Sequence, residues 1–226
     1  MRGIETRIQD IRHMVFTEVA KMAYQEEASV EKHIEKIPYE IIPGDVANFR
    51  NDVFLERAIV GERVRLAMGL PCRDAGNQAP ISEDVEAADR PETYYTPPLI
   101  NIIKFACNAC PEKRLIVTEG CMGCLAHPCM EVCPKDAVHL DRTIGRASID
   151  QDKCIKCGRC ATACSYNAII TQERPCAAAC GMDAIHSDSQ GKAEIDYDKC
   201  VSCGMCLVNC PFGAISDKSQ IFQVIR

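Results

Sequence analysis

Along the first hundred residues the apolar positions fall at helical spacing. Ile4, Ile8, Ile11, Val15, Val19 and Met22 recur at steps of three and four, which predicts an amphipathic helix. A second helix is predicted near Asn51 to Leu70, with Val53, Phe54, Ala58, Val64 and Ala67 on its buried face and Pro71 closing it. Both are expected to form a helical scaffold, with a partner-docking face as the alternative. From Glu83 to Pro98 the chain is acidic and then rich in Pro and Tyr, the pattern of a linker.

Beyond the linker the chain repeats itself. Four segments carry Cys, three residues, Cys, three more residues, Ala and a β-branched residue: Cys129 to Val138, Cys160 to Ile169, Cys176 to Ile185 and Cys206 to Ile215. The residue before each Ala is Asp136, Asn167, Asp183 or Gly213, all types that tolerate a left-handed turn. Each unit therefore predicts a cysteine-bearing helical turn, a sharp bend and a short strand. Return strands are predicted at Ala147 to Asp150 and Ala193 to Asp196, with Gly145 and Gly191 in the intervening turns. The fold class expected is α+β: a helical N-terminal region with linker over 1–96, then a domain over 97–226 built as two tandem modules of this repeat.

Composition narrows the chemistry. The chain has 226 residues, a formal charge of −6, 47% apolar residues and no tryptophan, with apolar stretches far too short to span a bilayer. The opening residues lack the apolar core of a secretory signal, so a cytoplasmic, reducing location is expected. There, seventeen cysteines argue for metal ligation and against disulfides. The acidic balance and the lack of a basic cluster argue against a nucleic-acid partner. No haem, metalloprotease, Walker or dinucleotide motif is present.

Sixteen cysteines lie between Cys107 and Cys210. Cys154, Cys157, Cys160, Cys164 and Cys200, Cys203, Cys206, Cys210 have the C-x2-C-x2-C-x3-C spacing of bacterial ferredoxins, in which the fourth thiolate serves a neighbouring 4Fe-4S cluster. Cys121, Cys124, Cys129, Cys133 form a third run with two extra residues before its third cysteine. Cys176 and Cys180 match the end of the repeat but lack a CxxC, whereas Cys107 and Cys110 are a CxxC without a C-x3-C, so the two fragments complete a fourth set. The crossing rule then assigns Cys121, Cys124, Cys129 with Cys164; Cys154, Cys157, Cys160 with Cys133; Cys107, Cys110, Cys176 with Cys210; and Cys200, Cys203, Cys206 with Cys180. Four 4Fe-4S clusters are expected, with zinc as the alternative occupant, most of all for the split set. Cys72 is expected to be a non-ligand thiol, and His127 a bystander in a run that already has four cysteines. Gly123, Gly158 and Gly204 suit close approach of backbone to cluster. Every set is closed by four cysteines, which leaves no open iron: one-electron transfer is expected, with no catalytic residue.

The phrases TEGCMGCLAHPCMEVCPKDAV, CIKCGRCATAC, ERPCAAACGMDAI and DYDKCVSCGMCLVNCPFGAISDKSQIFQVI resemble the iron-sulfur N-terminal region of group B iron-only hydrogenases. The resemblance runs from Pro97 onward and extends through the helical N-terminus; it is specific in ERPCAAACG and DKSQIFQ and generic in the ferredoxin runs. It implies a low-potential redox partner and a catalytic hydrogenase domain or subunit, to or from which electrons pass in an anaerobic setting. Ser165 and Gly181 stand where proline usually follows the fourth cysteine. These 226 residues contain no further cysteine set for a catalytic cluster, so no hydrogen turnover is expected of them alone. The alternatives are an iron-sulfur subunit of a molybdenum or tungsten oxidoreductase and, from another class, a zinc-stabilised interaction protein. The final SDKSQIFQVIR begins an apolar-faced helix too short to stand alone, which either docks back or continues.

Overall fold

The computed structural model describes residues 4–25, 30–74, 76, 78–90 and 96–226. Contacts divide the chain into two compact units, one formed by Met1–Ala109 with Pro175–Arg226 and the other by Cys110–Arg174. This division follows packing, whereas the expected boundary at 96/97 follows cysteine content.

The first unit opens with α1 (Arg7–Tyr24), where Ile11, Val15, Val19 and Met22 are buried as their spacing predicts. Ile4 is exposed, because the helix starts only after Thr6, whose N–H donates to the Gln9 side chain at 2.8 Å. α2 (Val30–Ile41) was not predicted; it buries Ile34 and Ile37 but carries Pro38, which breaks a helical reading of the sequence. α3 (Val53–Ala67) begins at Asp52, whose carboxylate accepts from the Leu55 N–H at 2.9 Å. Val53, Val64 and Ala67 are buried as expected, but Phe54 is 71% exposed and Ala58 only half-buried. A one-faced reading fails here because α3 is central, packed by α1 and α2 and buried on nearly all sides from Ile59 onward.

Within the stretch expected as a linker, Val85–Asp89 forms a 3-10 turn with Val85 and Ala88 buried; residues 91–95 lie outside the described residues. That turn, the three helices and α8 (Ile221–Ile225) enclose one core, closed by Phe222 at 2% exposure. The final helix thus docks back onto α1. Gln223 fastens it by donating to the carbonyls of Met68 (2.7 Å) and Ala88 (2.9 Å).

The predicted repeat is realised in both units. In the second, α4 (Pro128–Glu131) leads to β3 (Val138–Asp141), and α5 (Arg159–Ala163) to β5 (Ile169–Gln172). In the first, α6 (Pro175–Ala178) leads to β6 (Ile185–Ser187), and α7 (Met205–Asn209) to β8 (Ile215–Asp217). The bends at Asp136, Asn167, Asp183 and Gly213 all have φ between +48° and +60°. The return strands are β4 (Arg146–Ile149), antiparallel to β3, and β7 (Ala193–Ile195), antiparallel to β6. The strands β2 (Arg114–Val117) and β1 (Ile100–Ile102) complete the pairing, against β5 and β8 respectively. The result is a mixed helix-and-strand protein in which the described strands pair two by two. Among the described residues no helix is long and apolar enough to cross a membrane.

Candidate metal centres

The CxxC that opens each set has the same local backbone. The second residue between its cysteines is left-handed in all four: Lys156 (φ +58°), Ser202 (+55°), Gly123 (+57°) and Ala109 (+46°). The Cys107 to Cys110 segment, which lacks a C-x3-C of its own, is therefore shaped like the complete runs. Such a bend turns successive N–H groups to one side, the arrangement that anionic sulfur needs.

Donors to sulfur recur in the same way. In the second unit Ala137 and Ala168 donate N–H to the Sγ of Cys133 (3.2 Å) and Cys164 (3.4 Å), and in the first Ala184 donates to Cys180 (3.4 Å). Each donor directly follows a left-handed residue of the repeat. At the head of the return strands, Ala147 donates to Cys121 (3.5 Å) and, in the other unit, Ala193 to Cys107 (3.3 Å). Cys107 in its unit thus occupies the role that Cys121 has in the other. Cys110 is the first residue of the second unit, and its place in the split set rests on its spacing from Cys107.

Cysteines of different motifs lie near enough to act on one another. Burial pushes the Cys129 thiol up, and the charges of Cys124, Cys164 and Cys121 act on it in the same direction. Cys160 is likewise raised by burial, with Cys154 and Cys133 adding to it. In the first unit, Cys180, Cys200, Cys203 and Cys206 line one cavity with Ile100, Ile185 and Ile195. Cys206 is pushed up to about 11 by burial and by the charges of Cys200 and Cys176. Four thiols around an apolar-walled cavity, with backbone N–H groups aimed at sulfur, fit a 4Fe-4S cluster.

Three residues the sequence analysis did not single out shape this region. Arg50 donates to the carbonyls of Ala106 (3.0 Å) and Phe212 (2.8 Å), and Arg63 to that of Gly213. Glu56, fully buried, accepts from the N–H groups of Phe49 and Arg50, both at 2.6 Å, and of Asn48 at 2.8 Å. No periodic or motif signal marks them, because each acts on a segment distant in the chain or on irregular backbone.

Gly158 and Gly204 precede α5 and α7 in left-handed conformation. Gly123 is more constrained, because a Cβ there would press on the Gly145 carbonyl oxygen. The left-handed backbone alone does not demand glycine, since Ala109 adopts it. Gly123→Ala is expected to destabilise the second unit by about 1–3 kcal/mol, with iron lost first from the set containing Cys121 and Cys124; an unchanged melting temperature would contradict this.

Two further candidates remain. Cys72 packs against the core of the first unit, and its thiol is pushed up to about 12, mainly by burial. His127 is half-buried and left-handed just before α4.

A family model described as a 4Fe-4S binding domain matches residues 146–169 and 192–215. An uncharacterized ferredoxin of Methanocaldococcus jannaschii is 40% identical over 67 residues, 28% of this chain and 43% of that protein. A putative iron-sulfur component of dimethyl sulfoxide reductase from Halobacterium salinarum is 43% identical over 51 residues, 23% of this chain and 19% of that protein. The chain thus spans less than half the length of these two relatives. A ferredoxin of Alicyclobacillus acidocaldarius is 40% identical over 58 residues, 26% of this chain but 72% of the relative. With the ligand spacing, the sulfur-directed N–H groups and these matches together, the chain belongs to the ferredoxin family of iron-sulfur proteins.

Proposed function

We propose that this iron-sulfur electron-transfer protein carries four 4Fe-4S clusters and passes single electrons between a low-potential redox protein and a hydrogenase-type catalytic domain or subunit. The ligands are the four crossed sets, two in each half, with Cys107, Cys110, Cys176 and Cys210 as the fourth. The observation that carries the fourth set is the match of Cys107 to Cys121: the same left-handed bend inside the CxxC and the same N–H from the return strand. A bound 4Fe-4S cluster supplies reversible one-electron chemistry with no proton or bond rearrangement. The chain's own contribution is to close every iron with thiolate, direct N–H groups at sulfur and jacket the sulfurs with Val138, Ile169, Ile185, Ile195 and Ile215. The hydrogenase link rests on the ERPCAAACG and DKSQIFQ stretches. The likeness to the iron-sulfur component of dimethyl sulfoxide reductase supports the second reading, a subunit of a molybdenum or tungsten oxidoreductase.

Iron content is the test. Anaerobically reconstituted chain is expected to hold about sixteen irons and sixteen sulfides, from four 4Fe-4S clusters. Cys107→Ser and Cys176→Ser should each disturb the same spectroscopic centre, and Cys72→Ser should leave the iron count unchanged. About twelve irons with one tightly held zinc would overturn the fourth cluster. Copurification with a hydrogenase catalytic chain, against a molybdenum or tungsten one, separates the two readings of its partner.

A further inference from the structure

Arg50 and Arg63 come from the helical N-terminal part of the chain, yet their hydrogen bonds end on the two segments that carry Cys107 and Cys210. Ala106 immediately precedes Cys107, and Phe212 and Gly213 follow Cys210 by two and three residues. The Arg63 side chain lies so close over Gly213 that a Cβ there would stand 2.8 Å from its guanidinium. Arg63 is 6% exposed, and Arg50 also lies over the Phe212 ring at 5.7 Å. Both line one cavity of about 660 Å³ together with Cys107.

Among the described residues no ion pair involves either guanidinium, and nearby Asp217 is engaged by Arg12 at 2.5 Å. The neighbouring charges that act on Arg63 are those of Cys210, Asp217, Arg12 and Arg50. In the second unit the corresponding carbonyls belong to Gly120, Tyr166 and Asn167, and no side-chain donor reaches them among the described residues. The two halves share a backbone plan but differ in this pair of cations.

We propose that Arg50 and Arg63 are positioning residues for redox, clamping the segments that bear Cys107 and Cys210 and making the cluster held there easier to reduce than its counterpart on Cys121, Cys124, Cys129 and Cys164. The step is the gain of one electron from a low-potential donor protein, with no bond formed or broken and no proton moved. A fixed positive charge in a poorly solvated region favours the more negative, reduced state. This inference rests on the four-cluster reading.

The test is a redox titration followed by electron paramagnetic resonance on anaerobically reconstituted full-length chain, with dithionite as the reductant. The component lost in Cys107→Ser identifies the centre. Arg63→Met and Arg50→Gln should each lower the reduced-to-oxidised ratio of that component roughly five- to fifteenfold at fixed potential, for unit charges on the order of 10 Å apart at an effective dielectric of about 20–40. Arg63→Lys should largely restore the ratio, and the other components should not move. An unchanged ratio with full iron content overturns the proposal, as does an equal shift of every component. Loss of the same four irons in both neutral variants and in Arg63→Lys would make the arginines purely structural and also overturn it. A wild-type chain with only about twelve irons would instead remove the fourth cluster itself, so the two failures are distinguishable.

Discussion

Chelating the iron from reconstituted protein is expected to unfold Cys110–Arg174 while α1, α2, α3 and α8 stay folded. Among the described residues, the core of the second unit consists of Leu115, Cys129, Val138, Ala147, Cys160 and Ile169, two of them cysteines that the reading assigns to iron. Its strands come in isolated pairs, and a two-stranded ribbon is marginal in water. Binding at a structural metal site contributes on the order of 10 kcal/mol, as large as the whole stability of a typical domain. The first unit has a separate apolar core of seventeen buried residues spread over its helices, none of them cysteine. Hydrogen exchange on chelated protein should show protection lost across Cys110–Arg174 and across the strand pairs of the first unit, but kept in α1 and α3. Native-like protection in Cys110–Arg174 without iron would refute the idea that metal replaces a core there.

Glu56→Ala is expected to destabilise the iron-loaded chain by about 2–4 kcal/mol, since hydrogen bonds to a charged group contribute more than neutral ones and their loss strands the donors. The carboxylate is fully buried and gathers the N–H groups of Asn48, Phe49 and Arg50, an irregular stretch with no ladder of its own. It also fixes the backbone from which the Arg50 side chain reaches Ala106 and Phe212. Glu56→Gln keeps an acceptor in place and should cost less than the alanine change. Urea midpoints of the three proteins check the order; equal midpoints for Glu56→Ala and the parent would sink the assignment.

The metal chemistry was legible from the sequence because ligand spacing is local. A CxxC or a C-x3-C brings its sulfurs together through a handful of dihedrals, and the residues at the bends, Asp136, Asn167, Asp183 and Gly213, are types that adopt positive φ. The same locality made the strands after each bend readable, as well as the buried stripe of α1.

Other features depended on what each segment meets. α2 was missed because Pro38 punctuates it, and packing against α1 and α3 outweighs that propensity. Phe54 was expected inside and lies outside, since the buried positions of a central helix follow its several neighbours and not one stripe. Whether the final SDKSQIFQVIR would dock was open in the sequence, and the tertiary structure decided it by seating Phe222 in the helical core. Arg50, Arg63 and Glu56 carry no signal in their own surroundings. Their partners lie on irregular backbone six to about a hundred and sixty positions away, where nothing periodic links donor to acceptor. What the sequence determined is the set of contacts closed within a few residues; long-range burial and the placement of charge beside the sulfurs depend on which distant surfaces can be packed together, and that was decided only by the fold.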